Sequence, residues 1–122
     1  MSSMSNIILI VSKDRLTRAL IAAQLKEEGF EVIGSASIMG AVSRLTELLA
    51  TPALLIIESL ELDMEQKAID HLNRICPGAA YLLIHGACDQ PLQLRWTGVL
   101  YELAKPLSIG QIVDKVKKII IA

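Results

Sequence analysis

The chain has 122 residues, the length of one ordinary domain. Its 12 basic residues nearly balance 13 acidic ones, so neither nucleic acid nor an anionic membrane is expected as its main partner. The composition is 52% hydrophobic, which excludes a disordered chain, yet no apolar run is long enough to span a bilayer. No secretory leader is recognisable. We therefore predict a single cytoplasmic domain over residues 6–122, preceded by a disordered N-terminus over residues 1–5.

The first part of the chain predicts a strand, a helix and a second strand. Residues 6–11 form a branched apolar run without alternation, typical of a strand covered on both faces. Asp14 is expected to cap a helix over residues 15–28, and Gly29 to end it in the left-handed conformation. Residues 30–34 predict a more exposed strand. The helix is expected to bury Leu16, Ala19, Leu20, Ala22 and Ala23, and to turn Arg15, Arg18, Lys26 and Glu27 outward.

The remainder of the chain continues the alternation. Ser37 and Ser108 are expected to cap helices, and Val42, Leu45 and Leu49 to face inward from the first of them. The sequence Cys76-Pro77-Gly78 ends a helix. The predicted elements are a helix at 38–50, a strand at 53–57, a helix at 67–75, a strand at 81–84, a short helical stretch at 91–96, a strand at 99–104 and a helix at 109–120.

Five strands alternating with helical segments predict a doubly wound α/β sheet. Right-handed crossovers place helices on both of its faces. The functional crevice of such a sheet lies at the carboxyl ends of its strands. The residues that follow those ends are Ser12, Lys13, Asp14, Glu58, His85, Gly86, Lys105 and Pro106.

Several patterns that would indicate other functions are absent. No glycine-rich phosphate loop follows the first strand, and no base is placed by sequence to activate Ser12 as a nucleophile. Cys76 and Cys88 have neither CxxC spacing nor a neighbouring histidine pair. They are interpreted as buried thiols rather than as a disulfide or a zinc site.

Four segments of the chain form a recognisable pattern in this order: Ile8-Leu-Ile-Val11, Glu28-Gly-Phe-Glu-Val32, Pro52-Ala-Leu-Leu-Ile-Ile-Glu58, and Gly98 followed by Leu103-Ala-Lys-Pro106. Through them the chain resembles, over nearly its whole length, the receiver domain of response regulators in two-component signalling. It implies a CheY-like, flavodoxin-like (βα)5 sheet with strand order 2-1-3-4-5.

The chain departs from the receiver pattern at the positions that carry its chemistry. A working receiver keeps two acidic residues after strand one, an Asp that accepts the phosphoryl group after strand three, a Ser or Thr after strand four, and Lys-Pro after strand five. Here the acidic pair aligns with Ser12 and Lys13. The phosphoacceptor aligns with Glu58 and the Ser/Thr with His85. Lys105 and Pro106 alone match.

These departures predict a pseudo-receiver without catalytic residues. Mg²⁺ prefers carboxylate oxygens, whereas Ser12 is neutral and Lys13 is a cation, so Mg²⁺ binding is expected to be weak or absent and no cofactor is predicted. The extra methylene of Glu58 displaces its carboxylate from the position that phosphoryl transfer requires. The predicted function is therefore signalling by protein–protein binding, without phosphorylation. Two alternatives stay open: a working receiver that uses Asp14 after a register slip, and a small flavodoxin-like enzyme or ligand-binding domain with a crevice at Ser12, Glu58 and His85.

Charge at the crevice suggests what replaces the metal. We hypothesise a Lys13–Glu58–Lys105 cluster, with the alternative that Lys13 points to solvent and Lys105 alone contacts Glu58. His85 is interpreted as a hydrogen-bonded spacer rather than a ligand.

The interface prediction rests on the resemblance. Receivers commonly contact partners through the fourth helix, fifth strand and fifth helix, so that face is expected to bind a protein partner or to form a homodimer. Trp96 is either an interface anchor or packed against its own domain. The usual switch aromatic aligns with Glu102, and Tyr101 beside it is expected to face the opposite side. The chain either acts alone or is a fragment of a longer regulator.

Overall fold

The structure is a computed structural model that describes residues 6–48, 51–60, 62, 64–86 and 94–121, with only the backbone at 121. Within these ranges the elements in chain order are β1 (Ile7–Val11), α1 (Arg15–Glu27), β2 (Glu31–Ser35), α2 (Ile38–Leu48), β3 (Leu54–Glu58), α3 (Gln66–Ile75), β4 (Ala80–His85), β5 (Leu100–Ala104) and α4 (Ile109–Ile121). The predicted strands are confirmed with shifts of at most one residue at their ends. None of the helices in the described ranges is long and apolar enough to cross a membrane.

All five strands form one parallel sheet in the order β2-β1-β3-β4-β5. This confirms the predicted α/β flavodoxin-like sheet and its strand order. β1 and β3 are neighbours, and Val11 lies opposite Ile57. The residues that come next after these two, Ser12 and Glu58, therefore meet at the same edge of the sheet. The parallel arrangement brings the carboxyl ends of β4 and β5 to that edge as well.

The core lies on both faces of the sheet because alternate strand residues point to opposite sides. β3 is buried throughout, as expected for a strand covered by helices on both faces. α2 and α3 cover one face, with strand residues Leu9, Val11, Leu55, Ile57, Tyr81 and Leu83 beneath them. α1 and α4 cover the other, with strand residues Ile8, Ile10, Leu54, Ile56, Leu82 and Ile84 beneath them.

The predicted helix ends are confirmed by their hydrogen bonds. The Asp14 carboxylate accepts from the Leu16 N–H at 3.1 Å, and the Ser37 hydroxyl accepts from the Gly40 N–H at 2.9 Å. The Ser108 hydroxyl accepts from the Gln111 N–H at 3.1 Å, and the Gln111 Oε1 accepts from the Ser108 N–H at 2.7 Å. These side chains satisfy first-turn donors that a helix leaves without partners. Gly29 has φ +95°, the left-handed conformation expected after α1.

The predicted inner stripe of α1 is wrong. Leu16 and Leu20 are 66% and 48% exposed, whereas Ile21 and Leu25 are 1% and 0% exposed. Ala19 and Ala23 are exposed, and Ala22 is half-buried. The helix carries two apolar stripes on different sides, so spacing alone does not identify the inner one. The packing of Ile21 and Leu25 against the sheet selects the inner stripe instead.

Arg18 was predicted to point outward, and this is also wrong. Its side chain is half-buried, and its Nη1 donates to the Ser12 carbonyl at 2.7 Å. A Cβ at Gly34 of β2 would lie 3.2 Å from Arg18 Cδ, so the stem of Arg18 lies close against this backbone. The guanidinium therefore ties α1 to the end of β1.

The predicted helical stretch at 91–96 is not found where the chain is described, because residues 94–96 belong to no helix. Side chains of α3 bind the backbone of this segment instead. Among the other predictions, Leu45 is buried and Val42 half-buried, and Cys76 is a buried free thiol. Residues 91–93, Leu49 and Cys88 lie outside the described residues.

Candidate functional site

The site is built at the carboxyl edge of the sheet, where β1, β3 and β5 end. Ser12 directly follows β1, and Glu58 is the last residue of β3. Lys105 directly follows β5, and its N–H donates to the carbonyl of His85, the last residue of β4, at 2.8 Å. The Lys105–Pro106 peptide bond is cis. The strand register thus brings together three residues that are far apart in sequence.

Both oxygens of the Glu58 carboxylate have partners. The Ser12 hydroxyl donates to Oε1 at 2.6 Å, and the Lys105 ammonium forms an ion pair with Oε2. Glu58 is 3% exposed and Ser12 is fully buried. A buried carboxylate is costly unless it is paired and hydrogen-bonded, and here both conditions are met within the protein.

The hypothesised Lys13–Glu58–Lys105 cluster is wrong, and its alternative holds. Lys13 is exposed, and the ion pair of Glu58 is made by Lys105. Ser12 is buried at the end of β1, whereas the next residue, Lys13, is exposed to solvent. The third member of the cluster is therefore the Ser12 hydroxyl.

Ser12 is held in place from three sides. Its N–H donates to the Ser35 carbonyl at 3.0 Å, and its carbonyl accepts from Arg18 at 2.7 Å. Its Oγ accepts from the Asp14 N–H at 3.2 Å. Arg18 and Ser35 thus belong to the surroundings of the site, although neither was predicted there. The parallel pairing of β1 and β2 could have indicated Ser35, but no sequence signal marks Arg18.

Asp14 lies apart from the Glu58 carboxylate and serves the helix. It is exposed, and its carboxylate accepts from the Leu16 N–H and from the Thr17 hydroxyl, the latter at 2.6 Å. The Thr17 hydrogen bond is the main cause that lowers the pKa of the Asp14 carboxyl below its usual value. The register places Ser12 beside Glu58, so the slip that would bring Asp14 there has not occurred.

The other predicted residues surround the site without joining it. The His85 imidazole lies with Nδ1 3.1 Å from the Gly86 carbonyl and Nε2 3.8 Å from Glu102 Oε1. Tyr101 packs in the cluster beneath α1 and α4, and Lys115 lies 5.4 Å from its ring centroid. Glu102 is exposed, and its strand neighbour Tyr101 points to the other face of the sheet, as alternation predicted.

Trp96 is half-buried and packs within its own domain. Its ring lies 4.7 Å from that of Tyr81, centroid to centroid, with 55° between the ring planes. This tilted arrangement is a favourable one for aromatic pairs. Of the two interpretations of Trp96, the structure supports the intramolecular one.

A cleft of about 480 Å³ opens beside the ion pair, between α1 and the start of α4. Its lining is mostly aliphatic, with Glu58 and Lys105 as its charged members. The lining residues are Thr17, Glu58, Ile84, Lys105, Pro106, Leu107, Ile109 and Ile112.

The residues present do not fit a magnesium ion. Mg²⁺ requires near-octahedral oxygen coordination and is usually held through carboxylates. The buried carboxylate here, that of Glu58, already has a partner on each oxygen, and one of them is the Lys105 cation. Within the part of the chain that the structure describes, no group of three His, Cys, Asp or Glu side chains is arranged to hold a metal.

Comparison with known proteins identifies the fold. No family model matches the chain, and no curated protein does. Among solved structures, a response regulator from Thermotoga maritima matches with a TM-score of 0.76 and 20% identity, covering 98% of this chain and 100% of its own. A CheY-like receiver domain protein from Methanospirillum hungatei matches with a TM-score of 0.77 and 16% identity, covering 93% of each chain. An adenylate cyclase from Rhodopirellula baltica matches with a TM-score of 0.76 and 19% identity, covering 96% of this chain and 88% of its own.

These similarities establish that the chain has the fold of response-regulator receiver domains. At these identities the likeness concerns the fold alone.

Proposed function

We propose that this chain is a receiver-like signalling module that acts by binding a protein partner and is not phosphorylated. The observation that carries the proposal is that the Glu58 carboxylate is buried and that both of its oxygens already have partners within the protein. It is 3% exposed, with Ser12 on one oxygen and Lys105 on the other. The receiver fold supports the signalling role, and the altered site supports the loss of chemistry.

The physical reason is the competition for the carboxylate oxygens. A phosphoacceptor needs one free oxygen for in-line attack, and catalysis depends almost entirely on positioning and charge neutralisation. Attack by Glu58 would break either the Ser12 hydrogen bond or the Lys105 ion pair inside a buried site. The ion pair supplies permanently the charge neutralisation that a metal would supply on binding.

The composition of the chain supports the class of partner proposed for such a module. The nearly balanced charge supports a protein rather than a nucleic acid or membrane as the partner, and a cytoplasmic location stays a prediction. The contact surface predicted at the fourth helix, fifth strand and fifth helix of the family stays a proposal, for a partner or for a homodimer. Its fifth strand and fifth helix correspond to β5 and α4 of the structure, and Glu102 is an exposed residue of this surface.

Incubation with acetyl phosphate and Mg²⁺, followed by intact-mass measurement, tests the absence of phosphorylation. The wild-type chain is expected to show no added phosphoryl group, while a working receiver treated in parallel gains one. A stoichiometric phosphoryl adduct located on Glu58 or Asp14 would refute the proposal. A small molecule retained in native mass spectrometry would instead favour a ligand-binding function for the cleft.

A gain-of-function variant tests which residues account for the loss. The combined substitutions Ser12→Asp, Lys13→Asp and Glu58→Asp restore the three acidic positions of a working receiver. Mg²⁺ titration followed by isothermal calorimetry is expected to give a saturable response in this variant and none in the wild-type chain. The same response in both chains would show that the wild-type site holds the metal.

A further inference from the structure

The connection that leads into β5 is attached to α3 by side chains. Residues 94–97, called the strap below, adopt neither helix nor strand. Their N–H and C=O groups make no backbone–backbone hydrogen bond to another residue that the structure describes. Ordinary elements of the sheet are held by such bonds, so the strap is attached in a different way from the rest of the fold.

Two amide side chains of α3 bind the strap backbone. The Gln66 Oε1 accepts from the Arg95 N–H at 2.8 Å, and the Gln66 Nε2 donates to the Arg95 carbonyl at 3.2 Å. Asn73, two turns further along α3, donates from Nδ2 to the same carbonyl at 3.0 Å. Its Oδ1 accepts from the Thr97 N–H at 3.2 Å. The two amides thus replace the backbone partners that a neighbouring strand would offer.

The Thr97 hydroxyl adds a bond to the turn after α3, since it donates to the Pro77 carbonyl at 3.1 Å. Leu94, which is half-buried, packs against the core cluster beneath α2 and α3.

A ring contact also holds the strap. Trp96 packs against Tyr81, whose hydroxyl donates to the Asn73 Oδ1 at 3.3 Å. The strap then passes directly onto Gly98, where a Cβ would lie 1.9 Å from the Ala79 carbonyl. The strap therefore covers the Tyr81 ring, which is fully buried.

Beneath the strap, β4 and β5 are joined by a regular ladder from the pair Tyr81–Leu100 to the pair His85–Ala104. This ladder does not include the strap. Local openings in proteins occur where few backbone hydrogen bonds hold a segment. The hydrogen bonds of the two side-chain clamps are therefore distinct from those of the ladder.

We propose that the strap is a conformational device that opens as a unit: it detaches from Gln66 and Asn73 while the sheet stays folded, and it uncovers the Tyr81 and Trp96 rings. The amides of α3 keep it closed, so any displacement of α3 controls the exposure of the two rings. This device is separate from Glu58, because neither of its clamps contacts that residue.

Hydrogen exchange in the wild-type chain is the first test. The Arg95 and Thr97 amides, which donate to the two clamps, are expected to exchange through an opening that is insensitive to low urea concentrations. The amides of Leu82 and Leu83, buried in β4, are expected to exchange more slowly and with strong urea dependence. If all four amides exchange at one rate with one urea dependence, the strap opens only on global unfolding and the proposal is wrong.

The second test removes one clamp. Gln66 is half-buried, so Gln66→Ala should fold, whereas Asn73 is 7% exposed and holds several buried groups. Loss of two hydrogen bonds is expected to speed exchange at Arg95 by on the order of tenfold and to shift Trp96 emission to the red. Gln24→Ala, on the exposed surface of α1, is the matched control and should change neither. Unchanged exchange at Arg95 and unchanged emission in Gln66→Ala would contradict the proposal.

Discussion

At the scale of single residues, two features define the site: the extra methylene that Glu58 has relative to aspartate, and the positive charge of Lys105. The length of Glu58 lets its carboxylate reach both the Ser12 hydroxyl and the Lys105 ammonium. The pair is buried at its carboxylate end, since the side chains of Glu58 and Lys105 are 5% and 36% exposed. Removal of one partner of a buried or partly buried pair costs stability because it leaves the other charge unpaired. The pair is therefore best probed by removing one charge and then both.

Glu58→Gln is expected to lower the free energy of unfolding by about 1–3 kcal/mol. The amide can still accept from Ser12, but Lys105 loses its counter-charge. Urea unfolding at neutral pH measures the effect. Adding Lys105→Met to Glu58→Gln should recover part of the loss, because the unpaired ammonium is then gone.

Glu28→Gln is the matched control for this prediction. It breaks the ion pair in which Lys117 lies 2.8 Å from Glu28 on the surface, and an exposed pair of this kind contributes little. Equal effects of Glu28→Gln and Glu58→Gln would show that burial adds nothing to the Glu58 pair.

The buried phenol of Tyr81 leads us to expect a loss of stability at alkaline pH. Burial is the main cause that raises the pKa of the Tyr81 phenol, with the neighbouring Cys76 a lesser one. Because the folded-state pKa lies above that of the unfolded chain, the stabilisation is complete below about pH 10 and is lost as the pH rises beyond it. Urea unfolding at increasing pH should show a smaller alkaline loss for Tyr81→Phe than for the wild-type chain. Parallel loss in both chains would assign the alkaline effect to other groups.

At the scale of elements, the apolar spacing of α1 predicted the helix but not which of its faces is buried. Its ends were predictable, because Asp14 and Gly29 have local roles that need no tertiary contact. Its rotation was not, since Leu16 with Leu20 and Ile21 with Leu25 are two equally regular apolar pairs. The bond from Arg18 to the Ser12 carbonyl and the packing on the sheet select the second pair.

A pair of leucine substitutions on α1 checks this rotation. Leu25→Ala removes a fully buried side chain and is expected to cost about 2–5 kcal/mol of unfolding free energy. Leu20→Ala, at a position 48% exposed, is expected to change it by only about 0.5 kcal/mol. Chemical denaturation of the two variants distinguishes them. The reverse order of effects would favour the inner stripe predicted from spacing.

At the scale of the whole molecule, the sheet divides the core into two halves. Leu55 packs beneath α2 and α3, whereas its neighbour Ile56 packs beneath α1 and α4. Parallel sheets are covered on both faces because their crossover connections carry the helices. The strand that holds Glu58 is thus anchored from both sides.

Alanine substitution of two adjacent residues of β3 tests this two-sided burial. Leu55→Ala and Ile56→Ala are each expected to lower the unfolding free energy by about 2–5 kcal/mol, as measured by urea denaturation. In a sheet with one exposed face, only one of two consecutive residues would have such an effect. A small effect of either substitution would therefore contradict the architecture.

The sequence by itself determined the alternation of strands and helices, the caps at Asp14, Ser37 and Ser108, and the edge of the sheet at which the site lies. These features depend on local hydrogen bonding and on short-range apolar patterns, which a sequence displays directly. The strand order was available through the resemblance to receiver domains.

The tertiary structure alone decided which of two basic residues pairs with Glu58, which stripe of α1 is buried, and that side chains of α3 hold residues 94–97. Each of these choices is made by groups distant in sequence. Lys105 reaches Glu58 because β3 and β5 end at one edge of the sheet, while Lys13, although next to Ser12, is turned toward solvent. Proximity along the chain and proximity in space differ most where strands from separate segments converge, and the site lies at such a place.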